Sequence, residues 1–126
     1  MNISPNIQAM LAIGLSRRIG ANNVANMNTP EFQASRLTLE TGPKWQGVHP
    51  QNIDRDASPG PMVPVLEEGV DEKGQRVTAW GMIKGGNTDL AMELVNSIQD
   101  VRAFKANVVM VRAWDEMTGM VLDLHA

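Results

Sequence analysis

The stretch from residue 87 to residue 124 constrains this chain more than any other. After Gly86, neither glycine nor proline occurs until Gly119. Leu90, Leu94, Ile98 and Val101 follow one another at steps of four, four and three, the spacing of one helix face. Phe104, Val108 and Val111 carry that path onward, and Met110, Trp114, Met117, Val121 and Leu124 form a second path beside it. Just upstream, Gly85-Gly86-Asn87-Thr88-Asp89 joins two flexible glycines, read as a hinge, to side chains able to cap orphan helix N–H groups. The pattern predicts one helix of roughly 35 residues, about 50 Å long. A chain of 126 residues has no core that could cover such a helix. Much of its apolar surface must meet the N-terminal segment or other subunits.

The totals agree with a small interior. Hydrophobic residues make up 43% of the chain and aromatic ones 4%, with no tyrosine, so a large aromatic-centred core is excluded. Nine methionines against two phenylalanines point to adaptable packing by flexible side chains. A net charge of −3 argues against general nucleic-acid binding, which needs a basic stripe to displace counterions. The absence of cysteine removes disulfides, thiol catalysis and cysteine-ligated metals. No charged start followed by an apolar core resembles a signal peptide, and no stretch approaches the roughly 18 apolar residues of a membrane span. Export, if it occurs, is expected to proceed without a cleaved leader.

Ahead of the long helix, Ile3 to about Asn26 reads as a first helix. Ile3, Ile7, Met10, Leu11 and Val24 fall close to one face, and Pro5 fits the first turn, where its missing N–H matters little. Asn26-Met27-Asn28-Thr29-Pro30 ends it with turn chemistry. The region from Phe32 to Leu39 alternates and predicts a short strand or extended arm. Prolines 43, 50, 59, 61 and 64 then predict a loop without regular ladders over 42–64, anchored by Trp45. Residues 65–70 and 75–83 flank Asp71-Glu72-Lys73-Gly74, which predicts a hairpin supported by the long helix. The fold expected is mainly α with a small β part. Its three parts, 1–30, 31–86 and 87–126, form one structural unit.

No constellation of catalytic type emerges. His49 and His125 lack neighbouring relay partners, and triad chemistry needs them to converge. Asp54-Arg55-Asp56 lacks the later acids and central glycine of a calcium loop, and reads as a solvated charge cluster. Gly85-Gly86-Asn87 lacks the Lys-Ser/Thr of a phosphate-binding loop. The carboxylates of the long helix, Glu93 among them, read as a solvated face or as charge matching between subunits. Neither a cofactor nor a metal ligand set is predicted. Asn22, Asn23, Asn26 and Asn28 crowd the end of the first helix, where propensity disfavours them. Termination accounts for Asn26 and Asn28, whereas the amides of Asn22 and Asn23 are expected to bond backbone across a tight helix contact.

The run from Ala21 through Asn22-Asn23-Val24-Ala25-Asn26-Met27-Asn28-Thr29-Pro30 to Arg36 resembles the N-terminal signature of the bacterial flagellar rod and hook proteins. Asn87-Thr88-Asp89-Leu90, Glu93, Arg102-Ala103-Phe104 and Ala106-Asn107 resemble the C-terminal helix signature of the same family, in the same order and polarity. The family usually has glycine and tyrosine after Thr-Pro, where Glu31 and Phe32 stand here. Glu31 is expected to change that turn, because glutamate does not take φ > 0 cheaply. The short middle is closest in scale to the small proximal-rod members.

The resemblance implies a non-enzymatic subunit of the flagellar basal-body rod. Its terminal helices would pair as an antiparallel coiled coil, and subunits would assemble to transmit torque. Within a subunit, Ile3, Ile7, Met10, Leu11 and Val24 would meet Leu94, Ile98, Val101 and Val108. Contacts between subunits would come from Asn22, Asn23, Asn26, Arg102, Phe104, Asn107, Met110, Trp114, Met117 and Val121. Partners implied are other rod subunits, copies of the chain itself and the flagellar type III export apparatus, with no nucleic acid, small-molecule substrate or membrane span. The competing expectation is a cytoplasmic helical adaptor or export chaperone that binds partner helices.

Overall fold

A computed structural model describes residues 2–43 and 47–124. Trp45 and His125 therefore lie outside the described residues. Two helices enclose two antiparallel β-hairpins in chain order: α1 (Ser4–Ala25), β1 (Ser35–Thr41), β2 (Val48–Arg55), β3 (Met62–Val70), β4 (Arg76–Lys84) and α2 (Leu90–Asp123).

Both helices begin and end where local chemistry dictates. Pro5 sits in the first turn of α1, where it removes no intrahelical bond. At the other end, Asn26 Nδ2 donates to the Asn22 carbonyl at 2.9 Å, and the Thr29 N–H closes the following turn on the Asn26 carbonyl. The N-cap of α2 is Asp89, whose carboxylate accepts the Met92 N–H at 3.1 Å. From there α2 continues for 34 residues, about 50 Å.

The proline-rich stretch 42–64 departs from expectation. It contains β2, which pairs with β1, and the start of β3. In a two-stranded sheet every strand has a free edge, so a proline can be accommodated where no ladder N–H is needed. Pro50 stands opposite Leu39, where the register shifts between Thr38 and Leu39. Pro64 stands opposite Met82 in the second hairpin.

The turn of that second hairpin follows expectation. Gly74 takes φ 76°, and the Asp71 carboxylate accepts the N–H groups of Lys73 and Gln75 at 2.9 and 2.8 Å. Its support does not. Neither β3 nor β4 packs extensively on α2 or on the first hairpin, whereas β1 and β2 both lie against α1. The second hairpin is fastened at its base instead, by Gly85 N–H to the Pro61 carbonyl at 2.7 Å and Glu31 N–H to the Lys84 carbonyl at 2.9 Å. The following Gly85-Gly86 segment is buried against other backbone. A Cβ on Gly86 would lie 2.7 Å from the Met27 carbonyl oxygen. These glycines allow close approach, with no positive φ at either, rather than acting as a hinge.

The helices lie side by side in opposite chain sense, since Asn6 bonds Asn107 at one end and Asn23 bonds Glu93 at the other. The interior between the elements is small. Among the described residues the buried apolar side chains are Ala12 and Ala34, and the buried polar ones are Asn23 and Glu93. Along α2 the least exposed positions include Glu93, Ser97, Val101, Asn107, Val111 and Trp114. The apolar stripe of Leu90, Leu94 and Ile98 lies beside this row and stays exposed.

Glu31 also departs from expectation. It does not change the turn; it adopts the left-handed conformation itself, at φ 56°. Its N–H bond to Lys84 holds it there. A left-handed non-glycine residue costs about 1–2 kcal/mol, part of which glycine would give back through its freer unfolded state. Glu31→Gly should therefore raise stability by about 0.5–1 kcal/mol, measured by urea unfolding with unchanged m-value.

Candidate functional site

The four elements that meet at the end of α1 are joined by amides and a carboxylate rather than by apolar packing. Asn23, 1% exposed, projects from the last turns of α1 onto the start of β1. Its Nδ2 donates to the Ser35 carbonyl at 2.8 Å, and its Oδ1 accepts the Ser35 N–H at 2.8 Å. That pair of bonds mimics a β-ladder and takes the place of a strand partner. The same Nδ2 donates to Glu93 Oε1 at 2.9 Å, and the Thr88 hydroxyl donates to the Asn23 backbone carbonyl at 3.1 Å. Glu93 lies in the first turn of α2, where the helix dipole favours a negative charge.

Asn87 does for the middle of the chain what Asn23 does for its beginning. Its Oδ1 accepts the Ala34 N–H at 2.7 Å, while its Nδ2 donates to the carbonyls of Asp56 and Ser58, both at 2.8 Å. Its own N–H reaches the Phe32 carbonyl at 3.1 Å. Asp56 shapes the loop that Asn87 grips. Hydrogen bonds from Ser58, side chain first and then backbone, hold the Asp56 carboxyl below its ordinary value, helped by the charge of Arg36. Buried polar groups need partners, and this joint supplies them internally. It offers no free nucleophile, and no cluster of metal-binding side chains occurs among the described residues.

Two hollows flank the joint along the helix pair. A cleft of about 630 Å³ opens beside it, lined by Arg17, Val24, Arg36, Leu37, Leu94 and Asp100 among others. At the far end a shallower groove of about 400 Å³ lies between Ile3 and Met10 on one side and Val108, Val111 and Trp114 on the other.

The residues expected to pair the helices are thus distributed unevenly. Ile3, Met10 and Val108 share the far groove, and Val24 and Leu94 share the cleft. Val101 is half-buried, whereas Ile7, Leu11 and Ile98 are exposed, Leu11 by 70%. Of the residues expected between subunits, Arg102, Phe104, Met110, Met117 and Val121 are exposed. Trp114 lines the groove beside Ile3, and Asn107 bonds Asn6 at 3.0 Å. Asn22 and Asn26 bond each other at the helix end. Asn23 is corrected outright: its amide is consumed within the chain, and nothing remains to offer a neighbour. Glu93, read as part of a solvated face, is buried. Ser35, Asn87 and Thr88 were not singled out as partners, since bonds to backbone leave no periodic trace; the crowding of asparagines was the available signal.

Removing the Asn23 amide leaves the Glu93 carboxylate and both Ser35 backbone groups without their partner. Asn23→Ala should destabilise the chain by roughly 3 kcal/mol. Asn22→Ala, which touches only a surface amide, should cost less than about 1 kcal/mol; thermal unfolding followed by circular dichroism distinguishes the two. The Asp56 contribution has a defined pH window. Because its pKa is lowered on folding, the contribution is complete above the ordinary aspartate range and is lost as pH falls through the depressed value. The Ser58 amide resonance should shift with that same transition, and Asp56→Asn should abolish it.

Residues 80–124 match the family described as the flagellar basal body rod FlgEFG protein C-terminal region. No curated protein matches the chain. The matched segment runs from the end of β4 through the buried glycines to the end of α2. It contributes Asn87, Thr88 and Glu93 to the joint, and Asn23, Phe32 and Ala34, which receive them, lie in the stretch resembling the N-terminal signature, with Asp56 and Ser58 beyond it. The match supports a structural role related to the flagellar rod, with other rod components as partners in the basal body. No helix among the described residues is long and apolar enough to cross a membrane. Over residues 80–124 the chain is thus similar to the C-terminal region of the flagellar basal-body rod proteins.

Proposed function

We propose that the chain is a self-assembling structural subunit of the flagellar basal-body rod, packed with copies of itself and with neighbouring rod subunits to transmit torque. The observation that carries this reading is the joint itself. Asn23 and Ser35 from one signature bond Glu93 from the other, and Thr88 caps the Asn23 carbonyl. The two stretches that resemble the family are the ones that hold each other.

In this reading α1 and α2 complete an antiparallel coiled coil only on assembly. Around the fixed Asn23–Glu93 bond, Ile3, Ile7, Met10, Leu11 and Val24 pack with Leu94, Ile98, Val101 and Val108, neighbouring copies closing over those the single chain leaves exposed. Asn22, Asn26, Arg102, Phe104, Asn107, Met110, Trp114, Met117 and Val121 supply contacts between subunits. The parts 1–30, 31–86 and 87–126 act as one unit. Export through the flagellar type III apparatus delivers the subunit. The exposure of Leu94, Val95 and Ile98, each above half, supports assembly over an adaptor role, because both helices leave apolar faces along their length rather than one groove for one helix. Each such side chain contributes about 1.5–3 kcal/mol once covered.

Fractionation of motile cells tests the reading, since a rod subunit co-purifies with basal bodies and a cytoplasmic adaptor does not. Val101→Asp buries a carboxylate without a partner, which costs several kcal/mol in each assembled subunit. The variant should accumulate and engage the export machinery while rod completion and swimming fail. Normal swimming with intact basal bodies would show that α2 is not an assembly element.

A further inference from the structure

We propose, on the reading that the chain self-assembles, that the last turns of α2 dock head-to-tail in the cleft beside the joint of a second copy. The α2 helix runs past the start of α1. Ile3 already sits level with Val111, Trp114 and Asp115 in the far groove. Beyond that point Met117, Met120 and Leu124 are 45%, 60% and 83% exposed. At about 100° per residue these three share one face, turned away from the side on which Val111 and Trp114 meet α1. Glu116 and Asp123 run along one edge of that face, separated by two turns, about 10 Å. The tail therefore presents an apolar stripe with an acidic rail.

The cleft has the complementary character. Val24, Leu37 and Leu94 give it an apolar lining, and Arg17 and Arg36 stand among its lining residues. Both arginines are exposed; neither guanidinium donates a hydrogen bond among the described residues, and Arg36 is also drawn electrostatically toward Asp56. Asp100 lines the cleft from α2 and would repel an acidic edge, so the acidic rail is expected on the α1 and β1 side, where the two guanidinium groups lie. Arginine suits this task because its planar fork meets carboxylates in two bonds. Glu93, held by the buried Asn23, is also among the lining residues.

Tail and cleft lie toward opposite ends of the helix pair. A copy cannot fill its own cleft, and a contact between unlike surfaces repeats from copy to copy, as an open filament or a closed ring. The stripe is two turns long, which limits each contact and makes association of single copies weak and concentration-dependent.

The chain has no native cysteine, so full-length Leu37→Cys and Met120→Cys proteins can be mixed under mild oxidation. A mixed disulfide should form, in clear excess over either homodimer. Reversing the cleft charges in the first protein (Arg17→Glu with Arg36→Glu) should lower its yield about tenfold or more. Adding Glu116→Arg and Asp123→Arg to the second protein should restore it. Circular dichroism confirms that each variant keeps its helices. A mixed disulfide indifferent to both charge reversals, or none at all, overturns the proposal. Failure of the rod reading is separate: it would appear as absence from basal bodies while the charge-dependent disulfide persists. The converse result, presence in basal bodies without the disulfide, removes this contact and leaves the rod reading standing.

Discussion

The hydrogen bond from Asn23 to Glu93 is the constraint on which the remaining geometry depends. One amide fixes three things at once: the rotation of α1, the start of β1 through Ser35, and the rotation of α2 through Glu93. Directional bonds have this power because they fail if any partner turns away, whereas apolar contacts tolerate sliding. Turning Glu93 toward α1 leaves the neighbouring Leu90, Leu94 and Ile98 stripe beside the helix contact instead of within it. The exposure of that stripe follows from the polar joint rather than from poor packing.

A chain organised in this way gains definition without gaining much stability. Among the described residues the buried apolar side chains, Ala12 and Ala34, are too small to contribute the area that usually drives folding. A buried amide and carboxylate roughly offset their own desolvation. Elsewhere the joint replaces side chains with backbone, as at Gly86 against the Met27 carbonyl. Glu31 adds a left-handed residue that glycine would hold with less strain. The single chain is a well-specified shape that leaves much of its hydrophobic surface outside.

What could be read from the sequence divides along the same line. Both helices, the Asp89 cap, the Asp71–Gly74 turn and the end of α1 at Asn26 were legible, because periodicity and turn chemistry are local. The β1–β2 pairing was not, since the prolines argued for a loop, whereas Pro43 falls between the strands and the two-stranded sheet tolerates Pro50. Helix rotation was also missed. An apolar stripe normally marks the buried face, and Leu94 and Ile98 were read that way. The asparagine run was the one sign that something else decides. Asn22 and Asn23 resisted explanation as a helix terminator, and Asn23 proved to be the centre of the joint.

A polar joint with an apolar exterior suits a part that must be placed accurately among copies of itself. If apolar packing fixed both the single chain and its contacts, the two would compete for the same side chains, and the chain could collapse onto its own assembly surface. Here the competition is removed. Asn23, Ser35, Asn87, Thr88 and Glu93 are satisfied by one another and by backbone, so they neither need nor attract a neighbour. Leu11, Leu94, Ile98, Met110 and Met120, each at least half exposed, stay available because the joint does not use them. Specificity resides in one set of residues and cohesion in the other.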